Sequence, residues 1–378
     1  DVVGVSDYAK TFDTDNLTLG RNGSNISGAA LDSVISTEGI AVTLVYVDAT
    51  KGWIVTDSGN QTDAPGPTYV AATGGCIVTC GDYKMHIFTG PNTLCVSSGG
   101  NTSGSNTVEY LVVAGGGAGG TGPGSSNGGG GAGGFRSYTD LSPASPLNGP
   151  ASLPVSATPY AIVVGGGGTS VAAPGPISPG NLSSFSSISS AGGGAGRPGV
   201  ACVCGSPGYG PVPAMNGGSG GGATGNCAPG IGALGNTPVV TPAQGRDGGD
   251  ANLTASNRSG GGGGGAEDEG ADGTNPNIGG AGGDGSFIPT AFIGPTAPSY
   301  GEPGPAGRYF AGGGGATKQS IPTGTYGLGG LGGGGNAANP AGVAGLINTG
   351  SGGGAGEDTC TGSGTGGSGI VIIRYKYQ

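Results

Sequence analysis

Charged residues are scarce in this chain of 378 residues. Only 9% of the residues are charged, 12 basic residues face 22 acidic ones, and the formal net charge is −10. Nucleic acids and anionic membrane surfaces bind basic patches, so this balance argues against both as partners. Histidine occurs once, as His86, which argues against a zinc site with mixed histidine and cysteine ligands.

The chain also lacks long apolar runs and helical periodicity. Its longest aliphatic runs, such as residues 370–373, are far too short to span a bilayer. No heptad repeat or amphipathic helix of useful length occurs. We therefore expect almost no α-helix and no membrane insertion. The first residue is Asp1 rather than methionine, and we expect the chain to begin within a longer or processed product.

Catalytic motifs are absent or occur through composition alone. GxGxxG matches are frequent, but none follows a strand within a βαβ unit, and no phosphate-binding G-x-x-x-x-G-K-[ST] occurs. Residues 217–221 fit a nucleophile elbow, but the base would have to be His86, in another domain. We predict a protein with no enzymatic activity and no cofactor.

Two segments share sequence features with metal-binding sites. Residues 279–284 match the start of a calcium β-roll repeat, but they stand alone, and Ser286 occupies the position that needs an apolar residue. The acidic residues between 267 and 272 have the oxygens that a hard cation prefers; a solvated turn that maintains solubility is the alternative that we favour. The seven cysteines are odd in number, and we expect scattered thiols with one or two disulfides and no metal.

Residues 1–107 have the pattern of an ordinary β protein. Residues 41–47 and 53–56 are apolar and β-branched, and the turn at 48–52 between them completes a hairpin signature. Further short strands are predicted at 76–80, 83–88 and 93–97, separated by Gly-Asp and Gly-Pro-Asn turns. We predict an all-β N-terminal domain over residues 1–107.

Residues 108–378 are organised around glycine. The chain has 96 glycines and 27 prolines, a composition that is typical of disorder when it has no fixed period. Disordered chains are usually rich in charge, however, and this one is not. Apolar strands at 108–114, 160–164 and 370–377 also adjoin the glycine directly. The glycine runs lie at 115–120, 128–134, 165–168, 192–196, 217–222, 260–265, 279–285, 312–315, 329–335 and 352–356.

Such runs can form a core as extended threefold rods. A polyproline-II-type helix has about three residues per turn and no internal hydrogen bonds, so its buried amides and carbonyls need lateral partners. Parallel packing of several rods supplies these partners if the axes approach closely, which only glycine permits. Glycine loses much backbone entropy on ordering, so many rods must lock together cooperatively. We predict a sandwich of polyglycine-II helices with short capping β-strands over residues 108–378.

Six sequence blocks together resemble a known family. The opening VEYLVVAGGGAGG at 108–120, GGGGAGGFRSY at 128–138, NLSSFSSISSAGGGAG at 181–196 and the closing GGSGIVIIRY at 366–375 are similar to the glycine-rich domain of phage tail-fibre adhesins. Upstream, STEGIAVTLVYVDATKGWIVTDSG at 36–59 and GDYKMHIFTGP at 81–91 resemble segments of tail fibres from marine phages related to the T-even group. The resemblance covers residues 36–378 in order.

The resemblance implies a fold, a partner and an assembly. Family members fold the glycine-rich part as a polyglycine-II sandwich, and variable loops at its distal end touch a host receptor. That receptor is usually an outer-membrane protein or a surface glycan, and no enzymatic activity is attached. Tail fibres are usually homotrimers, although some adhesins of the family sit as a single copy on a trimeric tip. This chain departs from those adhesins by carrying its own β-rich N-terminal segment.

Receptor contact is predicted in segments 199–216, 286–310 and 318–326. Aromatic side chains with few rotors make good recognition anchors on a rigid frame. The same residues equally suit the capping of rod ends, and the sequence does not say which loops share an end. The candidates are Tyr209, Phe287, Phe292, Tyr300, Tyr309, Phe310, Lys318, Gln319 and Tyr326.

Taken together, the sequence predicts a tail-fibre receptor-binding protein of the virion. The first alternative is a structural subunit of an extracellular or virion-surface filament, in which the glycine sandwich is a building block. The second is an entropic linker, which would show no cooperative melting transition.

Overall fold

A computed structural model describes residues 1–60, 67–122, 126–170, 178–199, 214–225, 230–254, 257–294, 300–319, 322–357 and 362–378. The chain divides into two compact units, Asp1–Thr68 and Tyr69–Gln378. This division precedes the boundary that we predicted at residue 107. The reason is that strands from the 70–99 region pair with strands of the glycine-rich region, so both belong to one unit.

The first unit is built on an antiparallel sheet. Its strands are β1 (Val2–Ser6), β2 (Leu17–Leu19), β3 (Ser33–Ile35), β4 (Ile40–Asp48) and β5 (Gly52–Asn60), with β1-β4-β5 in one sheet and β2-β3 in another. The hairpin predicted from residues 41–56 is therefore confirmed as β4 and β5. Its turn is closed by Asp48, whose Oδ1 accepts hydrogen bonds from the amides of Thr50 at 2.8 Å and Lys51 at 2.7 Å.

The second unit has one short helix among its described residues and is otherwise built from strands and rods. The absence of long helices that we predicted is thus confirmed, and no helix in the described ranges is long and apolar enough to cross a membrane. Its elements are β6 (Val70–Thr73), β7 (Cys76–Cys80), β8 (Tyr83–Phe88), β9 (Asn92–Gly99), β10 (Thr107–Val113), β11 (Phe135–Tyr138), β12 (Leu153–Pro154), β13 (Pro159–Val163), β14 (Ser183–Phe185), β15 (Ile188–Ser190), β16 (Ser286–Ile288), α1 (Thr290–Ile293), β17 (Glu302–Gly304), β18 (Gly307–Phe310) and β19 (Ile370–Lys376).

Two larger sheets pack face to face in this unit. One has the order β11-β10-β19-β8-β7, with β12 beside β10, and the other has the order β15-β14-β13-β9-β6. Alternate residues of β10 and β19 point to opposite sides, so Val112 and Ile373 enter the core between the sheets, whereas Leu111 and Ile372 enter a second core on the other face. Burial on both faces explains why β10 and β19 are continuous apolar runs.

The glycine runs form threefold rods. From Gly115 to Gly120, every third backbone amide donates to the same neighbouring segment, and this rod therefore has three sets of hydrogen-bonded partners. This pattern matches the predicted polyglycine-II arrangement. The acceptors for residues 115 to 120 are, in order, Asn181, Gly367, Gly131, Ser178, Gly364 and Gly128.

Neighbouring rods run antiparallel as well as parallel. The amides of Gly130 and Gly133 donate to Gly353 and then Gly350, so these two rods run in opposite directions. The amides of residues 129 and 132 donate to residues 261 and then 264, so those two rods run in the same direction. The parallel packing predicted from the sequence is thus one of two arrangements, because the chain passes back and forth between two ends of the unit. We call the end with the β-sheets the strand end and the opposite one the loop end.

Close approach requires glycine at the centre of this bundle. A Cβ atom built on Gly130 would lie 2.3 Å from the carbonyl oxygen of Gly117 and 2.8 Å from that of Ala118. Real Cβ atoms do not tolerate these distances, so the rods would have to move apart and lengthen their lateral hydrogen bonds. Alanine also occurs within the rods, as at the fully buried Ala118 and Ala132.

Candidate binding face at the loop end

The rods present a set of connecting segments at the loop end. Because the hydrogen-bond register fixes the level of each rod residue, it also fixes the end at which each connection lies. The described rod residues that meet at the loop end, on either side of each connection, are 120 and 128, 168 and 178, 197 and 215, 224 and 230, 250 and 260, 273 and 279, 317 and 327, 338 and 343, and 356 and 364.

Asn127 ties three of these connections together. Its buried side-chain amide donates to the carbonyl oxygens of Gly356 at 2.7 Å and Gly122 at 3.2 Å, and its Oδ1 accepts the amide of Gly199 at 2.6 Å. Thr317 completes the junction, because its hydroxyl oxygen accepts a hydrogen bond from the backbone amide of Asn127 at 2.6 Å. The side chain thus pairs groups at the rod ends that would otherwise be buried without a partner.

A second asparagine fixes the 318–326 segment. Asn277, which is fully buried and has a positive φ of 61°, donates from Nδ2 to the carbonyls of Gln319 at 3.0 Å and Thr323 at 2.8 Å. Its Oδ1 accepts the Gln319 amide at 2.7 Å. Gln319 also accepts the amide of Arg258 on its own side-chain oxygen at 3.2 Å. Gln319 therefore lies at the loop end, where its polar groups connect neighbouring segments.

Lys318 and Tyr326 lie together beside Gln319. The Lys318 ammonium lies 5.1 Å from the centroid of the Tyr326 ring, a cation–π contact. Burial raises the pKa of the Tyr326 hydroxyl, and the negative charge of Glu357 raises it further. The structure thus brings three of the nine candidates into one cluster at the loop end.

The aromatic candidates of segment 286–310 lie at the opposite end. Phe292 and Phe310 are 0% exposed in the core below β10 and β19, and Tyr300 packs against the same core. Phe287 is 8% exposed, and its ring lies 5.6 Å from that of Tyr309. The buried rings of Phe287, Phe292 and Phe310 stabilise β16, α1 and β18. Tyr300 and Tyr309 are only partly buried, and receptor contact through this segment stays a prediction.

The remaining candidate, Tyr209, and four of the cysteines (Cys202, Cys204, Cys227 and Cys360) lie outside the described residues. The described residues that flank Tyr209, Gly199 and Met215, are tied to rods at or near the loop end. Cys76, Cys80 and Cys95 are free and exposed. In the described ranges, no three histidine, cysteine or acidic side chains gather as a metal site would require.

Aspartates cover the outer edges of the rod bundle. Asp250 Oδ1 accepts the amide of Gly232 at 2.8 Å. Three residues further along both rods, Asp247 Oδ1 accepts the amide of Gly235 at 2.7 Å. Asp284, from the segment that resembled a calcium repeat, likewise accepts the amide of Leu331 at 2.7 Å. These carboxylates satisfy outward-facing amides that have no neighbouring rod.

Sequence reasoning missed Asn127, Asn277 and Thr317 as organisers of this face. The available signal was the position of each polar side chain at the point where a glycine run begins or ends. A rod end leaves amides and carbonyls without lateral partners, and Asn and Thr can supply both donors and acceptors there. The aspartates within glycine-rich stretches carried a similar signal, because a carboxylate beside a rod can accept an outward amide.

Comparison with known proteins identifies the family to which the chain belongs. No curated protein matches the chain. A family model described as a glycine-rich domain matches residues 96–376, which includes β10, the rods and β19. The match extends over most of the chain, so this protein belongs to the glycine-rich domain family.

Proposed function

We propose that this chain is a receptor-binding protein of a phage tail fibre, which attaches to a host cell through its loop-end segments. The observation that supports the proposal is the gathering of unlike, non-glycine connections on one face of a rigid frame. Buried hydrogen bonds from Asn127 and Asn277 hold the bases of these connections. A binding surface with fixed bases loses less conformational entropy when it meets its partner.

The frame also separates stability from recognition. Rod glycines such as Gly130 cannot be replaced without steric conflict, whereas connections on the surface tolerate change. One scaffold can therefore present many different surfaces. Under this proposal the protein is a non-enzymatic component of the virion tail fibre that forms a homotrimer or a fibre assembly. Its partner is an outer-membrane protein or a surface glycan of the host.

The experiment is binding of the labelled full chain to intact cells of candidate host strains. The proposal expects saturable binding to strains that adsorb the phage, competition between the chain and the phage, and no binding to adsorption-resistant mutants of the same strains. Absence of saturable binding on every adsorbing strain would contradict it. Electron microscopy distinguishes the filament alternative, for which indefinite helical polymers are expected in place of discrete fibre tips.

A further inference from the structure

The first unit contains a pocket of its own, lined only by residues of that unit. The pocket has a volume of about 330 Å³, within the range of sites that hold small ligands. Its apolar wall includes Trp53, the single tryptophan of the chain, together with Ile26 and Leu44, which are 8% and 4% exposed. The wall thus combines a flat aromatic ring with a buried aliphatic floor.

The backbone holds this pocket in place. The Trp53 amide donates to the Asn25 carbonyl at 2.8 Å, and the Trp53 carbonyl accepts the Ser27 amide at 2.7 Å. Gly52 allows the two segments to approach, because a Cβ at this position would lie 1.7 Å from the Asn25 oxygen. The Tyr46 and Trp53 rings pack edge to face, with the ring centroids 5.6 Å apart. These contacts build a preformed site rather than a gap between loose segments.

The rim of the pocket carries polar side chains. Arg21, Asn22 and Ser24 line it, on a turn closed by the hydrogen bond from the Ser24 amide to the Arg21 carbonyl at 2.9 Å. Asp32 Oδ1 holds the same turn by accepting the Arg21 backbone amide at 2.9 Å. Within the described part of the chain, the side chains of Arg21, Asn22 and Ser24 make no hydrogen bond or ion pair with protein.

We propose that this pocket binds a carboxylate-bearing saccharide. The C–H face of a pyranose ring matches the Trp53 ring, whose indole N–H is an additional donor. The Asn22 amide and Ser24 hydroxyl match sugar hydroxyls, which both donate and accept. No acidic residue lines the pocket, and the Arg21 guanidinium matches a carboxylate by its planar fork of donors. The inference does not rest on the proposed function, because every residue it uses lies in the first unit.

The test uses tryptophan fluorescence of the full chain, in which Trp53 is the sole tryptophan. The probes are the methyl glycosides of glucuronic, galacturonic and N-acetylneuraminic acid, each titrated separately. Methyl glucoside and methyl galactoside are matched neutral controls for the two uronic acids. We expect a saturable change with at least one acidic glycoside and at least about tenfold weaker binding of the neutral sugars, because they lack the charge-assisted hydrogen bonds to Arg21.

Two variants locate the binding. Arg21→Gln should abolish the preference for acidic sugars, and Lys51→Gln, which removes a positive charge from the same unit outside the pocket, should retain it. An unchanged melting transition will show that each variant is folded. If Arg21→Gln does not fold, Asn22→Ala is a second variant of the pocket. The proposal is overturned if no acidic glycoside gives a saturable change, if neutral sugars bind equally well, if folded Arg21→Gln keeps the wild-type preference, or if folded Asn22→Ala keeps the wild-type affinity.

Discussion

The backbone amide of Gly130 donates to the carbonyl of Gly353 at 3.0 Å, although the two residues are far apart in the chain. Three residues later, the amide of Gly133 reaches Gly350 at 2.7 Å. The glycine rods of the second unit are thus held together by main-chain groups, with very few side chains taking part. The stability of this unit depends on how closely the rods approach, which leads to the first prediction.

Gly130→Ala is expected to destabilise the protein by about 1–3 kcal/mol or more, the usual cost of overpacking a core. The reason is the 2.3 Å separation between the new Cβ and the Gly117 oxygen. Chemical denaturation measures the difference. Gly90→Ala is the matched control, since its Cβ would meet nothing within 4 Å, and it should change stability by less than about 0.5 kcal/mol. Equal effects of the two substitutions would argue against tightly packed rods.

The aspartates that accept amides of the outer rods lead to a second prediction about stability. Asp247→Ala removes the acceptor of the Gly235 amide and should cost about 0.5–1.5 kcal/mol. Asp247→Asn keeps an oxygen at the same place and should cost less, which thermal melts of the two variants will compare. If the asparagine variant is as unstable as the alanine variant, the negative charge rather than the hydrogen bond is the important property.

His86 predicts how stability depends on pH. Its Nδ1 donates to the Gly74 carbonyl at 2.6 Å, which leaves Nε2 to accept the hydroxyl of Tyr375 at 2.9 Å. Burial lowers the pKa of His86 below 6.5, and the charge of Lys84 lowers it further. The unfolded chain therefore takes up the proton first as the pH falls, and folding loses up to about 1.4 kcal/mol for each pH unit below 6.5 until the folded pKa is reached.

Melting curves between pH 7.5 and 5.5 test this dependence. Wild type should lose stability over the lower part of the range, whereas His86→Gln, which keeps a donor and an acceptor without titrating, should lose less. Parallel pH profiles for the two proteins would contradict the prediction.

The buried ion pair between Glu109 and Arg374 gives a fourth prediction. Nη1 of Arg374 lies 2.6 Å from Oε1 of Glu109, and the two residues are 5% and 7% exposed. Glu109→Gln would leave the Arg374 charge buried without its partner and should cost about 3–5 kcal/mol. Adding Arg374→Met should recover part of that loss. Chemical denaturation of the single and double variants measures these changes in the free energy of unfolding. A loss below about 1 kcal/mol in Glu109→Gln would show that the pair is dispensable.

The sequence was sufficient for much of the fold. Alternating apolar residues identified β4, β5, β7, β8 and β9, and the strands beside glycine identified β10, β13 and β19. The glycine runs predicted the rods because only glycine fits such close axes. Rods with fewer consecutive glycines were missed, such as residues 230–235, where Ile231 and Leu234 point outward from an edge rod and are 62% and 57% exposed.

The candidate site was harder to predict, for two physical reasons. Rods look alike in sequence, so the end at which each connection lies depends on the register of distant hydrogen bonds, such as that between Gly260 and Thr317. Aromatic residues also serve equally well as exposed anchors and as core, and only the packing of Phe292 and Phe310 distinguished the two. The pocket beside Trp53 was missed because its walls come from separate parts of the chain.

The most direct test of binding through the loop end is to determine which end of the rods contacts the host cell. One variant carries a peptide epitope after Thr323 at the loop end, and its control carries the same epitope after Asp268 in an exposed turn at the strand end. An Fab fragment against the epitope is added before the cells. The account predicts that the Fab blocks cell binding of the loop-end variant and leaves the strand-end variant able to bind. Blocking only at the strand end, or at neither end, would contradict it.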